Sequence, residues 1–127
     1  MNLNAYNEFG KTYDKNGNLL TLKRNSAGTL VDNLGYTYES SNKSNRLQAV
    51  ADNSGNVIGF TDIANTNVYM YDNNGNATKD LNKGITAISY NVLNLPNTVT
   101  KDANNSITYR YTAGGEKFKL SIMHGIQ

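Results

Sequence analysis

The chain has 127 residues, of which twelve are basic and ten acidic, and it contains no cysteine and one histidine. Its net charge of +2 is scattered without a run of either sign, which argues against nucleic-acid binding because such proteins carry a basic patch or stripe. Without cysteine there is no disulfide, thiolate zinc site or cysteine nucleophile. No apolar run approaches the roughly 18 residues of a membrane helix, so we expect no membrane insertion, and no signal-peptide pattern is visible.

The rest of the composition favours strands joined by tight turns. Asparagine occurs 22 times and tyrosine nine times, with a single proline. Asn, Asp and Gly favour turns because they tolerate left-handed backbone or bond it locally, whereas tyrosine favours strands. We therefore expect an all-β chain with little helix.

In chain order, alternation of apolar and polar side chains predicts strands within residues 30–38, 107–111 and 118–122. Residues 68–71 are apolar or aromatic at every position, which predicts a strand buried on both faces. The remaining strands are inferred from the turns that bound them.

Turn-forming clusters punctuate the chain at intervals of roughly ten residues, the rhythm of successive hairpins. Asp-x-x-Gly predicts a type I turn followed by glycine in the left-handed region. We predict an antiparallel meander of about ten short strands in a single domain over residues 1–127. Residues 57–70 break the rhythm and leave two alternatives: a hairpin inserted around Asp62 to Asn67, or a decayed repeat unit at Asp52, which we favour.

One six-residue segment recurs along the chain. The segment is Tyr71-Asp72-Asn73-Asn74-Gly75-Asn76, with near copies at 13–18 and 51–56 and weaker echoes beginning at Tyr38, Tyr90 and Tyr111. Such self-similarity is the signature of a repeat architecture. We assign the aspartate and glycine of each copy to a turn, and the tyrosine to the end of a strand.

A tyrosine-aspartate turn with Gly-Asn behind it, recurring at roughly 20-residue intervals, resembles the YD repeats of the Rhs (rearrangement hotspot) family. Segments 13–18 and 71–76 match the repeat signature. Segments 36–47 and 109–117 resemble its Tyr-x-Tyr-Asp variant, with Glu39 in the aspartate position of the former and Thr112 in that of the latter. The similarity covers residues 9–120. The residues that carry it are Tyr13, Asp14, Gly17, Asn18, Tyr36, Tyr38, Asn45, Arg46, Leu47, Asp52, Gly55, Tyr71, Asp72, Gly75, Asn76, Tyr109, Tyr111 and Gly115.

The resemblance implies a structural, non-catalytic role. Members of this family are large secreted or cell-surface proteins, such as polymorphic toxins, wall-associated proteins and teneurins, whose repeats form a β-sheet ribbon that spirals into a shell. Toxin-bearing members carry a self-cleaving motif rich in proline and aspartate, which this chain lacks because its only proline is Pro96. The resemblance thus implies a module of a secreted or surface scaffold built as a curled ribbon.

Candidate catalytic and metal-binding residues are weak. His124 is the only histidine, and the sequence gives it no positioned nucleophile or acid. The patterns beginning at Asp14 and Asp72 offer alternating oxygen ligands as calcium loops do, but the glycine at position six and the glutamate at position twelve are missing. We expect no catalytic residue, no metal and no cofactor.

The tyrosines allow two interpretations. They pack in cross-strand pairs, which we favour, or they form a carbohydrate- or protein-binding surface together with the asparagine amides. An open repeat array exposes unpaired strand edges unless it is capped, and the strand-like segment 118–123 is no polar cap. We therefore expect the partner to be the remainder of a larger repeat protein or a second copy, with carbohydrate as the alternative.

Overall fold

The computed structural model describes residues 5–63 and 67–125. Two short helical turns, Glu39–Asn42 and Leu81–Lys83, are the helical elements of these residues. The strands are β1 (Asn7–Tyr13), β2 (Leu19–Ser26), β3 (Thr29–Tyr38), β4 (Leu47–Asp52), β5 (Tyr69–Tyr71), β6 (Ala77–Asp80), β7 (Ala87–Tyr90), β8 (Pro96–Asp102), β9 (Asn105–Tyr111) and β10 (Lys117–Met123).

The chain divides into two compact units, Met1–Val68 and Tyr69–Gln127. The first contains a four-stranded sheet in the order β1-β2-β3-β4. The second contains the two-stranded sheet β5-β6 and a four-stranded sheet in the order β10-β9-β8-β7. Every pairing within these sheets is antiparallel and joins consecutive strands. The prediction of an all-β chain of about ten antiparallel strands is confirmed, whereas the single-domain prediction stays a prediction.

The first unit has a small core around β3 and β4. Its buried apolar side chains are Val31, Leu34, Tyr38, Ala49, Val50 and Val68. The segment after β4 lies along β3, because the Ser54 hydroxyl donates to the Val31 carbonyl (3.0 Å) and the Asn56 amide donates to the Leu30 carbonyl (3.2 Å). This segment therefore covers one part of the sheet without adding a strand to it.

A buried carboxylate ties the same segment to the sheet. Asp32 is 1% exposed. Its Oδ2 accepts from Arg24 Nε at 2.7 Å, and its Oδ1 accepts from the backbone N–H of Phe60. Burying a charge is costly unless it is paired and hydrogen-bonded, and both oxygens meet that condition. A Cβ on Gly59 would overlap Asp32 Oδ1 and the Val31 carbonyl, so the close approach requires glycine.

The four-stranded sheet of the second unit has one apolar and one polar face. None of its described residues is buried. One row across the four strands consists of Ile88, Val99, Ile107 and Ile122, and the adjacent row on the other face consists of Ser89, Thr98, Thr108 and Ser121. Because successive strand residues point to opposite faces, the sheet presents its isoleucines and valine on one side and hydroxyl groups on the other.

One expectation about the middle of the chain is wrong, and the alternative of an inserted hairpin is only partly within the described residues. Residues 68–71 do not form a strand buried on both faces, since Val68 is fully buried but Met70 is 45% exposed. Among residues 53–63 and 67–68 there is no strand, so no hairpin is seen there; the rest of the proposed cluster from Asp62 to Asn67 lies outside the described residues.

Candidate functional site

The repeated turns are the most regular local structure of the chain. In the 14–18 turn, the Asp14 N–H donates to the Asn18 carbonyl (3.0 Å) and the Gly17 N–H donates to the Asp14 carbonyl (3.2 Å). Asp14 Oδ1 accepts from the backbone N–H groups of Asn16 (2.8 Å) and Asn18 (2.9 Å), and Oδ2 accepts from the Asn18 side-chain amide (2.8 Å). Gly17 has a φ of 83°, as predicted for the glycine of this turn.

The 72–76 turn repeats this network bond for bond. Asp72 Oδ1 accepts from the N–H groups of Asn74 and Asn76, each at 2.9 Å, and Oδ2 accepts from the Asn76 amide at 3.0 Å. Its two backbone bonds measure 2.9 and 3.1 Å, and Gly75 has a φ of 85°. The two best sequence copies are therefore also structural copies.

The 91–95 turn is a third copy that the sequence indicated only by a weak echo. The Asn91 N–H donates to the Leu95 carbonyl, the Asn94 N–H donates to the Asn91 carbonyl, and Asn91 Oδ1 accepts from the N–H groups of Leu93 and Leu95. Asn94 takes the glycine position with a φ of 58°. Asparagine tolerates that region. Asparagine at the first and fourth positions of the turn is therefore the sequence signal that could have predicted this copy.

The 112–116 turn is the fourth copy. Thr112 replaces the aspartate, and its hydroxyl oxygen accepts from the Glu116 N–H at 3.1 Å. The backbone bonds are kept, at 2.8 Å from Thr112 to Glu116 and 3.0 Å from Gly115 to Thr112. Gly115 has a φ of 89°. One side-chain oxygen at the first position is thus enough for this turn.

The near copy at Asp52 does not form this turn. Asp52 Oδ1 accepts from the N–H of Asn33 on the neighbouring strand and from Ser54. The Asn56 N–H donates to the Ser54 hydroxyl instead of to Asp52. Gly55 still has a positive φ of 71°. The similarity of segment 51–56 to the repeat in sequence therefore does not extend to its hydrogen bonds, and the decayed unit stays a prediction.

The aspartates of the turns are surrounded by donors. The Asn18 amide lowers the pKa of the Asp14 carboxyl, and the backbone N–H groups lower it further against a desolvation effect. The Asn76 amide likewise lowers the pKa of Asp72, and the Asn105 amide lowers that of Asp102. Because N–H groups already occupy the oxygens of Asp14 and Asp72, these loops do not present the set of free oxygens that Ca²⁺ requires.

Tyr38, Tyr90 and Tyr111 each bond from one repeat to the previous one. In each contact the hydroxyl of the tyrosine that ends a strand donates to the carbonyl of the residue that begins the preceding strand; we name this contact a tyrosine clip. The clips join Tyr38 to Leu19 (3.0 Å), Tyr90 to Ala77 (2.6 Å) and Tyr111 to Pro96 (2.7 Å). Each accepting residue directly follows one of the repeated turns.

Two of the clips also bring the tyrosine towards the aspartate of the turn before it. Burial raises the pKa of Tyr38, and the negative charge of Asp14 raises it further. Burial likewise raises the pKa of Tyr90, and the negative charge of Asp72 raises it further. The same pair of residue types, in the same relation, therefore recurs in both units of the chain.

Asparagine amides connect a turn to the second turn after it. Asn18 Nδ2 donates to Asn45 Oδ1 (3.0 Å), and Asn76 Nδ2 donates to Asn94 Oδ1 (3.1 Å). Every second turn of a meander lies at the same end of its sheet, which is why these side chains meet. The last turn does not continue the series, because Glu116 takes the position of Asn18 and Asn76.

The variant block around Tyr38 has its own turn. Ser40, Ser41 and Asn42 have φ values of 55°, 57° and 63°, a single left-handed turn that is disfavoured for residues with a Cβ. The Asn42 side chain compensates by accepting from the Tyr38 N–H at 2.7 Å. Glu39 also accepts from the Ser44 N–H through its carbonyl.

The other signature residues lie in the strands and turns nearby. Arg46 Nη1 lies 4.0 Å from Glu39 Oε2. Lys117 Nζ lies 4.4 Å from the centre of the Tyr109 ring. The register pairs Tyr13 with Leu19, Tyr36 with Val50, Tyr38 with Leu47, Tyr71 with Ala77 and Tyr111 with Lys117. These tyrosines pair mostly with aliphatic side chains, so the predicted aromatic pairs are replaced by aromatic–aliphatic ones.

The described residues contain no cluster of three or more His, Asp or Glu side chains that could hold a metal ion. His124 Nδ1 lies 3.4 Å from Asn105 Oδ1. A groove of about 740 Å³ beside it is open and lined by Ile85, Val99, Ile107, Ile122 and Met123, with Lys83 and Lys101 at its rim. Within residues 5–63 and 67–125 no helix is long and apolar enough to cross a membrane.

No family model matches the chain, no curated protein matches it, and no solved structure matches it.

Proposed function

We propose that this chain is a non-catalytic structural repeat module of the YD-repeat (Rhs) type. The observation that carries the proposal is the tyrosine clip, which occurs three times with the same donor, acceptor and relation to the turns. A contact that joins each repeat to the previous one stabilises an array and does not require a ligand. Repeat proteins gain stability from such nearest-neighbour interfaces.

The hydrogen-bond partners of the tyrosine hydroxyls and asparagine amides favour a scaffold over a carbohydrate-binding module. The hydroxyls of Tyr38, Tyr90 and Tyr111 donate to backbone carbonyls, and the amides of Asn18 and Asn76 donate to aspartate and to asparagine of another turn. A saccharide site needs such groups directed towards the ligand. Here they are used within the protein.

The scaffold would belong to a secreted or cell-surface protein, in which repeats continue as a curled β-ribbon. The half-exposed apolar face of the second unit supports this, because a sheet face of this composition is stable when another layer covers it. The covering layer would be the remainder of a larger repeat protein or a second copy.

A binding titration tests the proposal. Isotope-labelled chain is titrated with a panel of soluble oligosaccharides while backbone amide shifts are followed, and urea unfolding is measured on the same sample. The scaffold proposal expects no saturable shift. Saturable shifts centred on the tyrosines, lost on Tyr13→Phe while the unfolding midpoint stays unchanged, would establish the carbohydrate-binding alternative instead.

A further inference from the structure

The series of tyrosine clips has one open donor and one open acceptor. Tyr13 ends β1, as the clip tyrosines end their strands, but it is 57% exposed and its hydroxyl has no hydrogen-bond partner among the described residues. Lys117 begins β10 directly after the 112–116 turn, in the position of the three accepting residues. Within the described ranges no side chain donates to its carbonyl. The two ends are complementary halves of one contact.

The strands that carry these halves are both sheet edges. β1 lies at one edge of the first unit's sheet, and β10 lies at one edge of the second unit's four-stranded sheet. Each has seven residues, every residue of β10 is exposed, and neither contains proline. An exposed edge with apolar side chains such as Phe118, Leu120 and Ile122 is a template for another strand. The register shift of β10 lies at its start, between Lys117 and Lys119, and its pairing with β9 is continuous from Lys119 to Met123.

We propose that β10 of one molecule pairs antiparallel with β1 of a second copy, so that the Tyr13 hydroxyl of the second copy donates to the Lys117 carbonyl of the first. This inference rests on the proposed function, since it takes the clip as the contact that joins repeats. β1 then follows β10 as β3 follows β2 and β9 follows β8. The meander continues from one molecule to the next through the contact used within each unit.

Donor count favours this head-to-tail pairing over two like edges. Two copies of β10 would supply no tyrosine hydroxyl to either Lys117 carbonyl, and two copies of β1 would supply no open clip acceptor to either Tyr13 hydroxyl. A head-to-tail interface leaves an edge free at each end and so builds open chains or rings.

The experiment blocks each edge separately in the full chain. Phe9→Lys with Tyr13→Lys adds lysines to exposed positions of β1 and leaves β10 intact. Leu120→Lys with Ile122→Lys does the same to β10 and leaves β1 intact. Unchanged far-ultraviolet circular dichroism and urea midpoint in dilute solution show that each variant folds. Molar mass is then followed against concentration by sedimentation velocity.

The proposal expects concentration-dependent growth for the unaltered chain, monomers for each blocked variant alone, and a dimer of one molecule of each variant in the equimolar mixture. A dimer formed by the β1-blocked variant alone would mean that β10 pairs with itself and would overturn the proposal. An unaltered chain that stays monomeric at concentrations on the order of 1 mM would also overturn it.

A finer measurement isolates the clip. Tyr13→Phe should weaken association roughly fivefold, the effect of losing one net hydrogen bond, while the urea midpoint of the dilute monomer stays unchanged. Tyr6→Phe, also at an exposed tyrosine, should change neither quantity. Equal association constants for both variants would refute the role of Tyr13. The scaffold proposal fails on a different result, saturable oligosaccharide binding, so the two failures are distinguishable.

Discussion

The substitution Tyr111→Phe tests the internal clip by removing a single oxygen. The Tyr111 hydroxyl donates to the Pro96 carbonyl at 2.7 Å, the short distance of a good O–H···O hydrogen bond. Phenylalanine keeps the aromatic ring and therefore its contacts in β9, so no cavity is formed. The measured loss then reports the hydrogen bond that joins the second and third turns of this unit.

The expected cost is about 1 kcal/mol, the net value of a protein hydrogen bond. The Pro96 carbonyl lies in a residue of intermediate exposure, so water can partly replace the hydroxyl and the full penalty of a sealed, unpaired acceptor does not apply. With an m-value of about 2 kcal/mol/M the urea midpoint should fall by about 0.5 M. The melting temperature should fall by roughly 4–8 °C.

Urea unfolding followed by far-ultraviolet circular dichroism measures this loss. Tyr90→Phe, which removes the hydroxyl that donates to the Ala77 carbonyl at 2.6 Å, should behave in the same way. Tyr6→Phe is the matched control, because Tyr6 is exposed and should show no shift. If all three variants unfold at the midpoint of the unaltered chain, the clips do not hold the repeats together and the reasoning is refuted.

Three further outcomes are expected. The folded pKa of Asp72 lies below its ordinary value near 3.8, so the ionised carboxylate stabilises the fold above about pH 4 and this stabilisation is lost as the pH falls through the folded pKa. Between pH 6 and pH 2 the urea midpoint should therefore fall less steeply in Asp72→Asn than in the unaltered chain. Equal slopes would contradict this. Ser41→Gly should raise stability by up to about 1 kcal/mol in thermal unfolding, because glycine relieves the positive φ; a loss would show that the left-handed turn is unstrained. Gly59→Ala should cost about 2 kcal/mol or more in urea unfolding, because its Cβ would overlap Asp32 Oδ1. Gly35→Ala should cost little, because its Cβ would meet only Asn53 Nδ2, at 4.0 Å; similar losses would argue against a steric cause.

Local turn chemistry was predictable from the sequence because it depends on neighbouring residues. The Asp-x-x-Gly spacing predicted both the positive φ of Gly17 and Gly75 and the capping role of the aspartates. The same spacing failed at Asp52, whose carboxylate accepts from Asn33, a residue of another strand. A contact over nineteen residues is not visible in a six-residue motif.

The tyrosine clips could not be predicted from the motif for the same reason. The sequence indicated that tyrosine ends a strand, but the acceptor of Tyr90 is the carbonyl of Ala77, thirteen residues earlier. Burial could not be predicted from the sequence either. Met70 and Val68 are both apolar, yet Met70 is half-exposed and Val68 is fully buried. Which face of a strand is covered depends on distant segments of the chain.

The chemistry of the clip has a consequence for substitution. Its donor is a side chain, but its acceptor is a backbone carbonyl, which every amino acid possesses. The accepting residues are accordingly a leucine, an alanine and a proline. Mutation can therefore replace the accepting residue of a clip without removing the hydrogen bond. A protein assembled in this way can keep its architecture through extensive sequence drift, with little more than tyrosine spacing left as a trace.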